Sequence, residues 1–297
     1  MSTEHRELDQ QLEQRGYALL PGLVAGEELA ALRRMLEREV ERRARVLQAA
    51  GLVQELHADA PFEQRFGLLM AQCPAMQVVF DLQDMLAPEL FRHLRHRRLL
   101  EGLQQVLGPD IDAGPVMHVR AKPPRALVAS NQSFFAVPWH QDSAVLRPET
   151  DAHLQLTCWM PLVDVSEDMG PVEVLPIPRA TGHLPHVSEP GYGTTIAGHA
   201  VPDVAPERII CQAGDVLVMQ QFLPHRSGAN TSDRCRWSLD LRFQAHQTPS
   251  GRPWYPSLPV WRDGVPAAAD YETWVDAWHA ALARPNPGMT HRIVEKI

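Results

Sequence analysis

No stretch of this chain approaches the roughly 18 uninterrupted apolar residues that a membrane-spanning helix requires. The opening MSTEHRELDQQLEQRG is charged throughout and lacks the apolar core of a secretion signal. Cysteine is scarce: Cys73, Cys158, Cys211 and Cys235 stand singly with no C-x-x-C pair, which fits a reducing compartment better than a disulfide framework. A basic excess is also missing. Lysine plus arginine number 28 against 36 aspartate plus glutamate, a formal charge of −8. Nucleic acid and anionic membranes are therefore poor partners, and any anionic ligand has to be met by particular arginines in a pocket. No internal repeat is evident. What remains is a chain of 297 residues, 44% apolar and 22% charged, long enough for a sizeable core and ordinary for a soluble protein. A cytoplasmic location and a small-molecule partner are expected, and no feature specifies an oligomeric state.

The texture changes along the chain. Residues 1–107 read as mainly helical: Leu29, Leu32, Leu36, Val40 and Leu47 form a stripe at helical spacing that Gly51 can end. A second helical region, 62–107, is interrupted near Pro74 and Pro88. From residue 108 to 247, short alternating runs separated by turn residues predict antiparallel strands at 116–121, 154–160, 172–175, 209–211, 216–219 and 237–244. The Pro/Gly/His-rich stretch 176–206 is expected to be a loop or lid, and 248–297 a C-terminal extension with a helix at 271–282. Helices followed by many short strands suggest a single domain over 1–297. Its fold class is mainly β with α: a double-stranded β-helix (jelly roll, cupin-like) with the N-terminal helices packed on one sheet.

Val137-Pro-Trp-His140-Gln-Asp142 carries the first chemical signal. In a strand, residues i and i+2 point the same way, so His140 and Asp142 can reach one ion. An H-x-D pair alone is weak, since most are surface histidines beside acids. A distant His225 would complete a two-histidine, one-carboxylate face with three coordination positions open, which suits iron binding an oxo acid in two places and O2 in the third. Around His225 the sequence reads Gly214-Asp215-Val-Leu-Val-Met, a turn into a strand, then His225-Arg-Ser227-Gly-Ala-Asn230 and Arg236. Arg236 falls on the next strand, where it can clamp the remote carboxylate of a dicarboxylate, with the Ser227 hydroxyl as a second donor. The alternative places Arg234 and Arg236 on the surface, paired with acids. Alternation argues against it: Trp237, Leu239, Leu241 and Phe243 make one apolar face, leaving Arg236, Ser238, Asp240 and Arg242 to line a cavity, although Asp240 and Arg242 could simply satisfy each other. By the same test Gln155, Thr157 and Trp159 face the cavity, Trp159 being equally readable as a core aromatic.

With these residues in place, the chain resembles the phytanoyl-CoA dioxygenase family, which includes ectoine hydroxylase-like enzymes. The resemblance begins at Gly16-Tyr17-Ala-Leu-Leu-Pro21-Gly-Leu-Val and continues through Trp139-His140-Gln141-Asp142 and Trp159 with Asp168-Met-Gly170-Pro171. It closes with Gly214-Asp215 and His225-x-Ser227-x-x-Asn230-x-Ser232-x-x-x-Arg236. It implies iron(II) held by His140, Asp142 and His225, 2-oxoglutarate bound by Arg236 and Ser227 with Trp159 lining the site, and O2-dependent oxidation. One departure is Pro176-Ile177-Pro178-Arg179, where the family usually has Pro-Gly-Ser-His; it borders the substrate side. Asp142 is retained, whereas related halogenases replace it with a small residue, so hydroxylation is favoured over halogenation.

Lesser candidates complete the reading. Thr157 and His118 are expected near the oxo acid, and Arg120, Gln132, Phe134, Arg179 and Arg242 near a substrate that is small and polar or anionic. Each of these also reads as an ordinary surface or structural residue. His183-Leu-Pro-His186 with His199 reads as a second metal site or as lid residues. The main rival to an oxygenase is a non-oxidative cupin-like metal protein, an isomerase, hydrolase or sensor, which would keep the triad but have no use for Arg236. A jelly-roll binding module that has lost its metal is opposed by the intact triad.

Overall fold

A computed structural model describes residues 3–74, 76, 79–81, 85–127, 136–189, 193–285, 291–293 and 295–296. The strand that organises it is β13 (Arg236–Ala245), whose alternating pattern makes one face apolar and the other polar. It pairs antiparallel with β6 (Gln155–Pro161) on one side and, on the other, with β4 (His118–Lys122) and β3 (Ile111–Ala113). β6 is buried along its whole length. Outward from it come β11 (Val216–Gln220) and β1 (Tyr17–Leu20), while β14 (Leu258–Arg262) and β15 (Val265–Pro266) extend the sheet beyond β3, and β2 (Val79–Asp81) pairs with β4.

A second sheet runs β10 (Glu207–Ile209), β7 (Val172–Val174), β12 (His225–Ser227), β5 (Val137–His140). Two antiparallel sheets enclosing a cavity make the double-stranded β-helix expected from the sequence.

Among the described residues six helices pack around this barrel: α1 (Thr3–Arg15), α2 (Gly26–Ala49), α3 (Phe62–Gln72), α4 (Pro88–Leu94), α5 (Arg97–Leu107) and α6 (Tyr271–Leu282). The apolar stripe of α2 is realised as buried Leu32, Met35, Leu36, Val40 and Ala44. Trp237, projecting from the apolar face of β13, is the rivet between sheet and helices: its ring centroid lies 5.3 Å from Phe62 and Phe66 and 5.5 Å from Phe80, within the range where aromatic pairs add to simple burial. One hydrophobic cluster is continuous from Leu8 on α1 to Trp278 on α6.

The N-terminal third also contributes strands, which its helical texture conceals. β1 closes the edge of the main sheet, and the loop after it is fastened by the Gly214-Asp215 turn. Asp215 accepts from the Gly22 and Gln212 amides, both at 2.7 Å. Val24 N donates to Gly214 O at 3.0 Å. Gly214 sits at φ +87°, and a Cβ there would collide with the Val24 carbonyl, so only glycine is accommodated.

Two expectations about the later segments change. Residues 176–206 carry a hairpin, β8 (His186–Glu189) and β9 (Gly193–Ile196), beside β5 and joined by the short β16 (Glu295–Lys296). Val187, Ile196 and Ala197 are buried there, so this part of the stretch is packed. The C-terminal stretch belongs to the core: β14 joins the main sheet, and α6 buries Trp274 and Trp278. All four cysteines are buried thiols, and no helix among the described residues is long and apolar enough to cross a membrane.

Candidate active site

His140 ends β5 and His225 begins β12, directly opposite each other in the register. Their ring centroids are 4.1 Å apart. Asp142 follows on the one-turn 3-10 helix Asp142–Val145. One ligand atom from each of His140, Asp142 and His225 lies within 4.8 Å of the other two, and no other such cluster occurs among the described residues. The imidazoles are oriented for metal binding: Nδ1 of His140 lies 2.9 Å from Pro138 O and Nδ1 of His225 lies 3.0 Å from Leu223 O. Donation from Nδ1 fixes the tautomer and leaves each Nε2 lone pair free. Burial, reinforced by His225, lowers His140 to about 3, so its ring is a neutral donor at physiological pH. Two imidazole nitrogens and a carboxylate with positions to spare fit iron(II).

The residue between the ligands is a staple. Gln141 is fully buried; its side chain donates to Gly182 O and Phe222 O and accepts from the Leu184 amide, and its own amide donates to His186 Nε2. His183 meets Ser143 Oγ at 2.7 Å. His183 and His186 therefore brace the Asp142 turn and do not form a second metal cluster.

The ligands face an open cavity with Val137, Val172, Met219 and Trp159 as its apolar wall. At one end Arg236 is 2% exposed. Its Nη1 donates to Gly170 O, its Nε is buried without a partner, and its guanidinium lies 5.4 Å from the Trp159 centroid. Gly170 is at φ +62°, where a Cβ would strike the Gly228 carbonyl, so the carbonyl that aims Arg236 depends on glycine. Opposite Arg236 in the register stands Lys122, 4% exposed. It donates to Ser227 Oγ at 2.7 Å and to Gly228 O. Two like charges directly opposed across strands repel. Burial, then Arg236 and Arg120, hold the Lys122 ammonium well below the ordinary lysine value, and burial, then Arg120, brings Arg236 down to about 10. Among the described residues no carboxylate pairs with either cation. With Ser227 free to donate its own proton, this end is built for an incoming carboxylate.

Lys122 was not among the residues singled out from sequence. The signal was available: period two from His118 through Arg120 leads to Lys122, but the strand was expected to stop at Ala121, one residue short.

The other candidates distribute as follows. Arg120 and Asp240 line the cavity, 3.5 Å apart. Trp159 lines it as the alternation predicted. Thr157 donates its hydroxyl to Asp142 Oδ2, and Arg242 Nη2 donates to Asp142 Oδ1 at 2.6 Å. Both therefore contact the Asp142 carboxylate, which its turn brings between them, and Arg242 also lines the cavity. His118 pairs with Asp81 at 2.8 Å and is not among the cavity-lining residues. Arg179 pairs with Glu13 on α1 at 3.1 Å, also away from the cavity, because α1 lies across its turn. Gln132 and Phe134 lie outside the described residues. Arg226, which sequence reasoning passed over, reaches the cavity wall while pairing with Glu173 and lying over Trp139 at 4.5 Å; adjacency to His225 was the only hint.

Comparisons with known proteins agree with this geometry. The family model described as phytanoyl-CoA dioxygenase matches residues 12–238. Among solved structures, the non-heme monooxygenase ThoJ superposes with a TM-score of 0.61 at 18% identity, over 93% of this chain and 95% of that one. The non-heme alpha-ketoglutarate-dependent epimerase SnoN from nogalamycin biosynthesis gives 0.54 at 20% identity, over 90% and 97%. EvdO2 from Micromonospora carbonacea var. aurantiaca, complexed with 2-oxoglutarate, gives 0.53 at 20% identity, over 86% and 96%. At such identities the likeness speaks for the fold. No curated protein sequence matches the chain.

Proposed function

The chain belongs to the phytanoyl-CoA dioxygenase family, and from that premise we propose that it is an iron(II)- and 2-oxoglutarate-dependent oxygenase. Its reaction is hydroxylation of a C–H bond in a small polar metabolite or natural-product intermediate, with release of succinate and CO2. The observation that carries the reading is the pairing of two features in one cavity. A two-histidine, one-carboxylate metal face shares the cavity with Arg236, and Lys122, buried against Ser227, stands opposite Arg236 in the register; no described carboxylate pairs with either. A non-oxidative metal protein needs the first feature and has no use for the second.

In this reading His140, Asp142 and His225 hold the iron. What iron supplies when bound is the coupling of O2 reduction to oxidative decarboxylation of the 2-oxo acid. The chain's own groups bind and shield. Arg236, Lys122 and Ser227 receive the remote carboxylate of 2-oxoglutarate, and the repulsion between the two cations is relieved when that anion lies between them. Trp159, Val172 and Met219 exclude water from the space beside it. Arg120 and Asp240 present a donor and an acceptor to a polar substrate. Retention of Asp142 supports hydroxylation over halogenation. The whole of residues 1–297 acts as one unit.

The test is succinate release by purified protein given iron(II), 2-oxoglutarate and ascorbate in air, with candidate substrates. Arg236→Ala should be inert at cosubstrate levels that saturate the parent; full activity in that variant overturns the assignment. Anaerobic addition of iron(II) and 2-oxoglutarate should produce a weak visible charge-transfer band, whereas a colourless complex favours the non-oxidative rival.

A further inference from the structure

Arg242 and Thr157 stand directly opposite each other on β13 and β6, and each takes one oxygen of Asp142. Arg242 Nη2 donates to Oδ1 at 2.6 Å and the Thr157 hydroxyl donates to Oδ2. Arg242 is 7% exposed, and its Nε and Nη1 are buried without hydrogen-bond partners. Its other carboxylate neighbour, Asp240, is 3.9 Å from Nη1, beyond hydrogen-bond reach. A buried guanidinium with two idle donors costs the fold stability that an apolar side chain would not. Arg242 borders the cavity, but its one well-formed contact is with Asp142, so packing alone does not account for it.

We propose that Arg242 is a positioning residue for the metal face. With Thr157 it clamps the Asp142 carboxylate from two neighbouring strands, so that Asp142 meets the metal in one orientation. This sets metal affinity separately from 2-oxoglutarate affinity, which belongs to Arg236 and Lys122 at the other end of the cavity. The inference rests on reading His140, Asp142 and His225 as the metal face. Groups that orient a metal ligand typically contribute about 10- to 100-fold to metal affinity.

The experiment needs no turnover. Metal-free protein is titrated anaerobically with cobalt(II), followed by its d–d absorption, and 2-oxoglutarate is then titrated at saturating cobalt(II). Arg242→Met should weaken cobalt(II) binding by about 10- to 100-fold and alter the d–d band, with 2-oxoglutarate affinity near the parent's. Arg242→Lys should recover part of the loss, and Thr157→Val should show a smaller loss in the same direction. Arg236→Met should give the reverse split. Should Arg242→Met fail to fold, Arg242→Lys and Thr157→Val carry the test. Unchanged cobalt(II) affinity in these variants, or a greater loss for 2-oxoglutarate than for metal, overturns the proposal. Failure of the parent protein to bind cobalt(II) overturns the metal-face reading and this inference together, and is seen before any variant is compared.

Discussion

The cavity has two cationic poles, and they differ in what answers the charge. At one, Lys122 and Arg236 face each other across β4 and β13 with only carbonyl and hydroxyl oxygens for partners. At the other, Arg242 faces Asp142. A buried charge with an internal counter-charge is fixed structure; one without it is a receptor for something that arrives from outside. Equally basic residues on the same two strands thus divide into a binding end and a positioning end, and composition alone does not reveal the division.

The sharpest way to break this comparison is Arg236→Met. Removing one member of a buried hydrogen-bonded charge pair costs about 2–5 kcal/mol, so 2-oxoglutarate binding should weaken by about 30-fold to a few thousandfold in calorimetry at saturating metal, while metal affinity holds. Trp237→Ala, one residue along and on the opposite face, should do the converse. Loss of a fully buried aromatic costs about 3–5 kcal/mol in urea unfolding, with both affinities retained by the folded protein. Lys122→Met should leave the ligand-free protein as stable or more so, since it removes a buried, repelled charge, but should shrink the melting-temperature rise that 2-oxoglutarate gives.

Lys122 also predicts a pH effect. Burial, then Arg236 and Arg120, depress its folded-state value. Over an alkaline interval the unfolded chain therefore keeps a proton that the folded chain has released. Stability of the ligand-free protein should rise with pH across that interval and level off above the ordinary lysine value of about 10.4, and Lys122→Met should abolish the rise. The smallest effect is expected outside the cavity. Arg208, a largely exposed cation 3.2 Å from Glu173, should change unfolding by no more than about 1 kcal/mol when replaced by alanine.

Much of the fold was legible because its signals are periodic. The alternation through 237–244 foretold β13 with the correct inner face, and the helix at 271–282 matches α6. Strands β5 and β12, which carry the two histidines, are four and three residues long; runs that short hold no measurable alternation, and motif spacing alone marked them. α1 was covered only by the general helical reading of 1–107, with no stripe of its own singled out; Leu8 and Leu12 are buried on it. In the site, what local sequence did not show is the protein partners: Asp142 meets Thr157 and Arg242, Asp81 meets His118, and Glu13 meets Arg179. Which acid meets which base across a barrel depends on register and on the path of intervening turns, and neither is written in local sequence.

β13 carries Arg236, Asp240 and Arg242 and is hydrogen-bonded along both edges, to β6 and to β4 and β3. Backbone amides so placed exchange with solvent only when the entire molecule opens. The groups that grip ligand thus ride on the last segment to come apart. Denaturant should abolish ligand binding and secondary structure in a single coincident transition, leaving no loosened species in which the barrel persists and the grip is gone.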